Sequence, residues 1–368
     1  ISECLVGSEM CIRDRYKMME NYPVPECGPD DIILEIKAAA ICGADMKHWG
    51  VDNGYDDTNI TPDQQQSVRG HEFAGEIVKV GENVKDWHIG QRVVSDNSAH
   101  VCGVCPACEQ GDFLCCEHKV NLGLDNNTWG GGFSKYCKVP GEILAIHKHA
   151  IWEIPEGIKY EEACVLDPIC NAYKAVAQQS HLIPGQDVVV FGTGPLGLFS
   201  VQVAKLMGAV NIVMVGLDDD VKVRFGVAKE LGATHCVNGS KEDVVARCTE
   251  ICGRDNLGLV IECSGANIAL KQAIEMTRPN AEIVRVGMGF KPLEFSINDI
   301  TAWNKSIIGH MAYDSTSWRN CIRLLQSGQI KVQPMITHRL GLSQWQEGFD
   351  KMAKKEAIKV IFHYDYED

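Results

Sequence analysis

The stretch "VVVFGTGPLG", residues 188–197, leaves the chain few choices of fold. Four apolar residues suited to a strand run straight into Gly192, Thr193, Gly194, Pro195, Leu196 and Gly197. A helix-like segment, "PLGLFSVQVAKLMGA", starts inside the glycine motif. In G-x-G-x-x-G spacing the first glycine makes a tight turn. The second lets the backbone approach a pyrophosphate, and the third lets helix and strand pack closely. The N–H groups of the opening helix then hold the phosphates. An ordinary glycine-rich turn is the alternative, but a strand before and a helix after are the context that a dinucleotide site requires. All six residues of the motif are therefore candidate coenzyme contacts.

The surrounding sequence agrees. "NIVMVG", "LGLVIEC" and "EIVRVG" are short apolar runs separated by helix-like "VRFGVAKELGA" and "ANIALKQAIEMTR". Strands that are apolar throughout, alternating with helices, argue a parallel sheet covered on both faces. The expected Rossmann-type domain spans 161–307. Residues 17–160 have a different texture, with short strands such as "DIILEIKAAAICG" and "GHEFAGEIVKVG" joined by Gly-, Asp- and Asn-rich turns. The mixed segment 308–368, closing on "IKVIF", is expected to return to that first domain. Residues 1–16 fit neither. "ISECLVGSEMCIRDR" resembles a translated sequencing-adapter fragment, so it is read as a non-native leader in which Cys4 and Cys11 carry no function.

The second strand of the parallel sheet ends at Gly216, followed by Leu217, Asp218, Asp219 and Asp220. An acid that bonds the adenosine ribose belongs at this strand end. Gly216 and Asp218 are the candidates for that contact. No Arg is adjacent, and three aspartates repel a 2′-phosphate, which favours NAD and leaves NADP as the alternative. Two of the three serve equally well as a solvated loop and helix cap.

Metal chemistry enters with "CGVCPACEQGDFLCC", residues 102–116. Cys102, Cys105, Cys108 and Cys116 stand in C-x2-C-x2-C-x7-C spacing. Four thiolates suit a closed, tetrahedral structural zinc. Spacing alone chooses Cys116 over Cys115. Seventeen cysteines without a secretion signal favour metal and packing over disulfides. Elsewhere, Cys42 follows an apolar strand, His71 and Glu72 sit in "GHEFAGE", and Asp167 and Cys170 sit in "LDPICNAY". Cysteine, histidine and carboxylate are the mixed ligands of an open, catalytic zinc. Taken singly, each also has an ordinary structural reading.

Composition excludes other classes. A formal charge of −14 repels phosphate backbones, so no nucleic-acid partner is expected. No apolar run reaches the roughly 18 residues of a membrane span. With 45% hydrophobic and 23% charged residues the chain reads as globular, and its seventeen cysteines without a secretion signal read as those of a cytoplasmic protein.

In order, G-H-E-x-x-G-x-[IV], the four-cysteine lobe and the later G-x-G-x-x-G resemble the medium-chain zinc-dependent alcohol dehydrogenases, from about Pro23 to Phe362. The polyol (sorbitol-, altritol- and erythritol/threitol-type) branch is the most similar. "DPICNA" and "MITHRLGLSQWQEGFD" are also similar to segments of threonine dehydrogenases. The resemblance implies an α/β protein with a GroES-like, mostly-β catalytic domain and a Rossmann doubly wound sheet. It implies a homodimer or homotetramer with catalytic and structural Zn2+ and NAD, or NADP in its place. Cys42, His71 and Glu72 become zinc ligands. Asp167 becomes a fourth ligand or a neighbour exchanging with water, and Asp45 orients the zinc-bound histidine. Ala44 stands where relatives carry a Ser or Thr that relays the proton. That leaves water, Glu72, Lys47 or His48 for the relay. Trp49, Asn126, Asn127 and Trp129 are candidate pocket residues. The implied reaction passes hydride between a polyol or secondary alcohol and NAD(P), giving the ketose. An amino-alcohol substrate such as threonine is one alternative. A catalytically silent zinc- and nucleotide-binding protein is another.

Overall fold

The computed structural model describes residues 2–7, 16–49, 68–125, 129–289 and 291–364. The chain divides into two compact units, Ile1–Asp167 with Ile336–Asp368, and Pro168–Met335.

The first unit opens with the antiparallel pair β1 (Ser2–Gly7) and β2 (Tyr16–Tyr22). Tyr16, assigned above to the leader, is buried, and its hydroxyl donates to the Asp45 carbonyl at 2.9 Å. The main strands follow: β3 (Ile32–Ala40), β4 (Glu72–Val80) and β5 (Arg92–Ser95). A small ribbon, β6 (Ser98–His100) with β7 (Val120–Asn121), flanks the cysteine lobe. Then come β8 (Tyr136–Val139) and β9 (Ile151–Glu153). β3 buries most of its residues because strands cover both its edges: β4 pairs with it antiparallel along its length, and β8 pairs with its first half.

The second unit is a six-stranded, all-parallel sheet. Its strands are β10 (Val188–Phe191), β11 (Ile212–Gly216), β12 (His235–Asn238), β13 (Leu259–Glu262), β14 (Glu282–Arg285) and β15 (Ser306–Gly309). The spatial order is β12-β11-β10-β13-β14-β15. This is the doubly wound 3-2-1-4-5-6 order, with the strand-order reversal at β10 and the glycine motif at its end. β10, β11 and β13 are buried along their whole length, which is why they read as continuous apolar runs.

The chain then returns to the first unit. β16 (Ile336–Gly341) pairs parallel with β17 (Lys359–His363), and β17 pairs antiparallel with β3. The order of that sheet is β16-β17-β3-β4-β5-β9, with β8 on β3. The units part at 167/168 and 335/336, not at 160/161 and 307/308 as the change in texture suggests. The reasons are local. Arg339 of β16 grips Glu161 through two hydrogen bonds, at 2.7 and 3.2 Å, and keeps the segment around 161 in the first unit. β15 and the helix Ser315–Gln326 stay with the parallel sheet. β15 pairs with β14, and Asn320 donates to the Tyr173 hydroxyl at 3.0 Å.

Candidate active site and metal centres

Three adjacent strand ends build one cluster in the first unit. Cys42 lies two residues beyond β3, Glu72 opens β4 opposite Ala40, and Lys359 opens β17. A ligand atom from each of Cys42, His71 and Glu72 lies within 4.8 Å of the others. His71 and Glu72 are 6% and 1% exposed, so the donors face one another away from water. Glu72 Oε2 accepts from the buried Lys359 ammonium, which also donates to the Ile41 carbonyl at 3.1 Å. Glu72 Oε1 is buried with no hydrogen-bond partner among the described residues. An orphaned carboxylate oxygen beside a thiol and an imidazole is the donor set of a tetrahedral zinc with one position open.

The electrostatics fit a cation. Burial works against a protonated His71, yet Cys42 and Asp45 outweigh it and push the imidazole pKa well above its usual value. Burial, then the Glu72 carboxylate, pushes the Cys42 thiol up. Burial also disfavours the Lys359 ammonium, but Glu72 and Cys42 more than compensate and raise its pKa. Raised values for the imidazole and the ammonium mark the spot as locally negative, and a locally negative pocket is where a cation is stabilised.

The other expected site residues fare differently. Asp45 faces His71 Nδ1 at 3.7 Å, too far for the orienting hydrogen bond expected of it. Its Oδ2 instead accepts from the Cys42 N–H at 2.8 Å, fixing the backbone that presents the thiol. Asp167 is outside the three-residue group, and its Oδ2 accepts from Asn97 Nδ2 at 3.1 Å. Ala44 precedes the short 3-10 turn Asp45–His48 and offers no hydroxyl. The side chains of Lys47 and His48 lie outside the described part, as do residues Asn126 and Asn127. Trp49 is half-buried and packs against the core: its ring centroid lies 5.4–6.3 Å from those of Tyr16, Trp345 and Phe349. Trp129 packs against the same core. Lys359 is the functional residue that the sequence reading missed. It sits 287 residues from its partner, in a run that reads as an ordinary closing strand.

The second group is the cysteine lobe, Cys102, Cys105, Cys108 and Cys116, which also lies within 4.8 Å. Cys108 Sγ is 3.6 Å from Cys105 Sγ and 3.9 Å from Cys102 Sγ. Cys116 is buried and Cys115 exposed, so the fold chooses between them as the spacing did. Backbone N–H groups of Val104 and Cys105 pull the Cys102 thiol down to about 6, whereas burial and the neighbouring thiols push Cys108 up to about 12. Four thiols this close share ionisation badly without a central cation, as expected of a closed zinc site. Phe113 of the lobe stacks on His147 at 4.2 Å, and His147 Nε2 meets Asp96 Oδ2 at 2.5 Å in the interior. These two groups are the metal-capable clusters of three or more side chains among the described residues.

In the second unit the glycine turn leaves room for an anion to approach the backbone. Gly192 has φ +93°, and the space where a Gly194 Cβ would stand is open to 4 Å. The helix Pro195–Leu206 begins with no side-chain cap, leaving its first N–H groups for an anion. A Cβ on Gly197 would lie 1.8 Å from the Gly192 carbonyl oxygen. Gly197→Ala must therefore push helix and strand apart. We expect a cost near the upper end of overpacking, about 3 kcal/mol, read by urea unfolding. Unchanged stability would mean that the two segments are not packed this closely.

Residues 28–149 match the model of the alcohol dehydrogenase GroES-like domain, and residues 195–327 match that of the zinc-binding dehydrogenase. A zinc-type alcohol dehydrogenase-like protein of Escherichia coli is 77% identical over 353 residues, covering 96% of each chain. The sorbitol dehydrogenase of Halalkalibacterium halodurans is 30% identical, covering 93% of this chain and 94% of its own. The L-threonine 3-dehydrogenase of Rhizobium rhizogenes is 32% identical, covering 94% of each.

Proposed function

The chain belongs to the zinc-binding alcohol dehydrogenases with a GroES-like domain, and from that membership we propose that it oxidises a polyol or secondary alcohol to the ketose or ketone with NAD(P). The observation that carries the proposal is the buried meeting of Cys42, His71 and Glu72, with one Glu72 oxygen unpartnered. Bound zinc supplies a Lewis acid for the alcohol oxygen, and bound NAD(P) accepts the hydride from the carbinol carbon.

This chain's residues do the rest. Cys42, His71 and Glu72 hold the metal, and Asp45 fixes the Cys42 backbone. Lys359 holds Glu72 Oε2, so that Oε1 is the oxygen left to ligate. Asp167 and its partner Asn97 supply polar groups beyond the ligands. Ala44 has no hydroxyl to relay the alcohol proton, so the proton would pass to water. The glycine turn and the helix Pro195–Leu206 hold the pyrophosphate. Likeness to the sorbitol dehydrogenase supports a polyol.

Likeness to the threonine dehydrogenase supports an amino alcohol instead. That substrate's carboxylate asks for a cation, and Lys359 is engaged by Glu72. We also propose a homodimer or homotetramer. β15 is an edge strand, largely exposed, with Trp303, Ile307 and Met311 exposed along or beside it. A bare apolar edge is a surface that self-association covers.

The test is initial-rate reduction of NAD⁺ and NADP⁺ over four- to six-carbon polyols, their phosphates and L-threonine, with zinc counted in the same samples. His71→Ala should lower zinc from two to one per chain and turnover by about a thousandfold or more, the scale lost when a key electrostatic group is removed. Turnover on threonine alone would move the substrate to the amino-alcohol branch. Full zinc occupancy with no turnover on any substrate would favour the silent reading.

A further inference from the structure

We infer that the choice between a free and a phosphorylated ribose 2′ position rests on the ion pair Asp218–Lys241, whose two members pull the choice in opposite directions. The inference rests on the coenzyme reading above and deepens it.

In this strand order the adenosine ribose is met by an acid at the end of the second strand, beside the glycine turn. Here that strand is β11, and its last residue is Gly216. A Cβ there would lie 2.6 Å from the Thr193 methyl, 2.7 Å from the Phe225 ring and 3.0 Å from Asp220 Oδ2. The strand end thus touches the turn and has no room for a carboxylate of its own. The acid must come from the following loop.

Asp220 is not available. It is buried, its Oδ2 accepts from the Leu217 N–H at 2.8 Å, and its Oδ1 pairs with Arg224 at 3.3 Å. Asp218 is placed otherwise. Its N–H donates to Ser240 Oγ at 3.1 Å, tying the loop to the end of the neighbouring strand β12. Its Oδ1 accepts from Asn238 Nδ2 at 2.6 Å and from Lys241 Nζ at 3.0 Å. No contact among the described residues takes Oδ2, and the side chain is half exposed. Asp218 therefore has one oxygen fastened and one left to accept from a ribose hydroxyl.

The same arrangement weakens its rejection of a phosphate. An unpaired carboxylate would repel a 2′-phosphate, but this one carries an ammonium 3.0 Å away. Lys241 is two-thirds exposed and can turn to the phosphate at little cost. The cation that the sequence lacked next to the strand is supplied from the loop after β12. Discrimination then becomes a small difference between two opposed terms. NADH is bound more tightly than NADPH, but by less than about tenfold.

The measurement is direct binding of NADH and of NADPH to the full chain, by coenzyme fluorescence, for the parent and for Asp218→Asn, Lys241→Ala and Lys241→Glu. Asp218→Asn should shift the affinity ratio toward NADPH by about tenfold. Lys241→Ala should shift it toward NADH by a similar factor, chiefly by weakening NADPH, and Lys241→Glu should do so more strongly. Both side chains are on the surface, so circular dichroism should show all variants folded. A ratio that none of the three moves by more than about twofold overturns the inference and leaves the dehydrogenase reading standing. Failure of the parent to bind either coenzyme overturns both.

Discussion

Cys108→Ala should unfold the cysteine lobe, release one zinc per chain and lower the melting temperature of the first unit by about 10 °C or more. Structural zinc sites contribute an apparent 10–16 kcal/mol or so in small zinc modules, comparable to the whole stability of a typical domain, roughly 5–15 kcal/mol. Cys108 is buried and touches two other sulfurs, and its thiol is held at about 12 by burial and the neighbouring thiols. Removing it leaves three thiols that cannot close a tetrahedron. The lobe also carries Phe113 onto His147, so its loss exposes the buried His147–Asp96 pair. Each kcal/mol moves the midpoint by about 2–4 °C in a domain of this size. The check is a thermal melt with zinc counted by absorption spectrometry. Cys115→Ala, at the exposed neighbour, should change neither number. If Cys108→Ala melts like the parent, the four thiols hold no structural ion.

Lys359→Met should cost about 3–5 kcal/mol in metal-free protein, because it leaves the Glu72 carboxylate buried and without its cation. With zinc bound the cost should be smaller, since the ion supplies the missing positive charge to the same carboxylate. The readout is the difference between two melts, with and without metal. Lys359→Arg, which keeps the charge, should restore most of the loss. Equal losses with and without zinc would mean that Glu72 does not ligate and serves only as the partner of Lys359. Ordinary structural damage would not distinguish the two melts.

How much of this was legible beforehand depended on where the partners lie in the chain. The glycine turn and the cysteine lobe are local. Each packs its chemistry into fifteen residues or fewer, and the structure assembles them from those residues alone. β10, β11 and β13 were visible because burial on both faces makes them apolar runs, and β14 showed through its buried centre, Ile283 and Val284. β12 and β15 were not. β12 ends the sheet and is only partly buried, and β15 is an exposed edge, so neither needs an apolar sequence. The surroundings of Trp49 were not legible, because a tryptophan in a polar neighbourhood gives no sign of the aromatic cluster that Tyr16 and the distant pair Trp345 and Phe349 build around it. Lys359 and Lys241 share one explanation. A lysine in a strand or a loop is a solvated charge by default, and only a contact made elsewhere in the chain gives it another role.

The threading of the first unit also bears on how the protein comes to be made. Its sheet places β17 between β16 and β3, so the strand that joins β16 to the rest of that sheet emerges only after the whole parallel sheet has been made. The parallel sheet lies between the two portions of the first unit in the chain and is finished by residue 335. A ribosome-bound chain can thus fold its nucleotide-binding unit while β3 still waits for β17. Closing that sheet joins positions more than three hundred residues apart, a long-range and therefore slow step. Glu72 meets Lys359 only at that moment. The metal site thus forms later than the coenzyme fold, and a product stopped short of β17 would carry that fold with no paired acid to receive the metal.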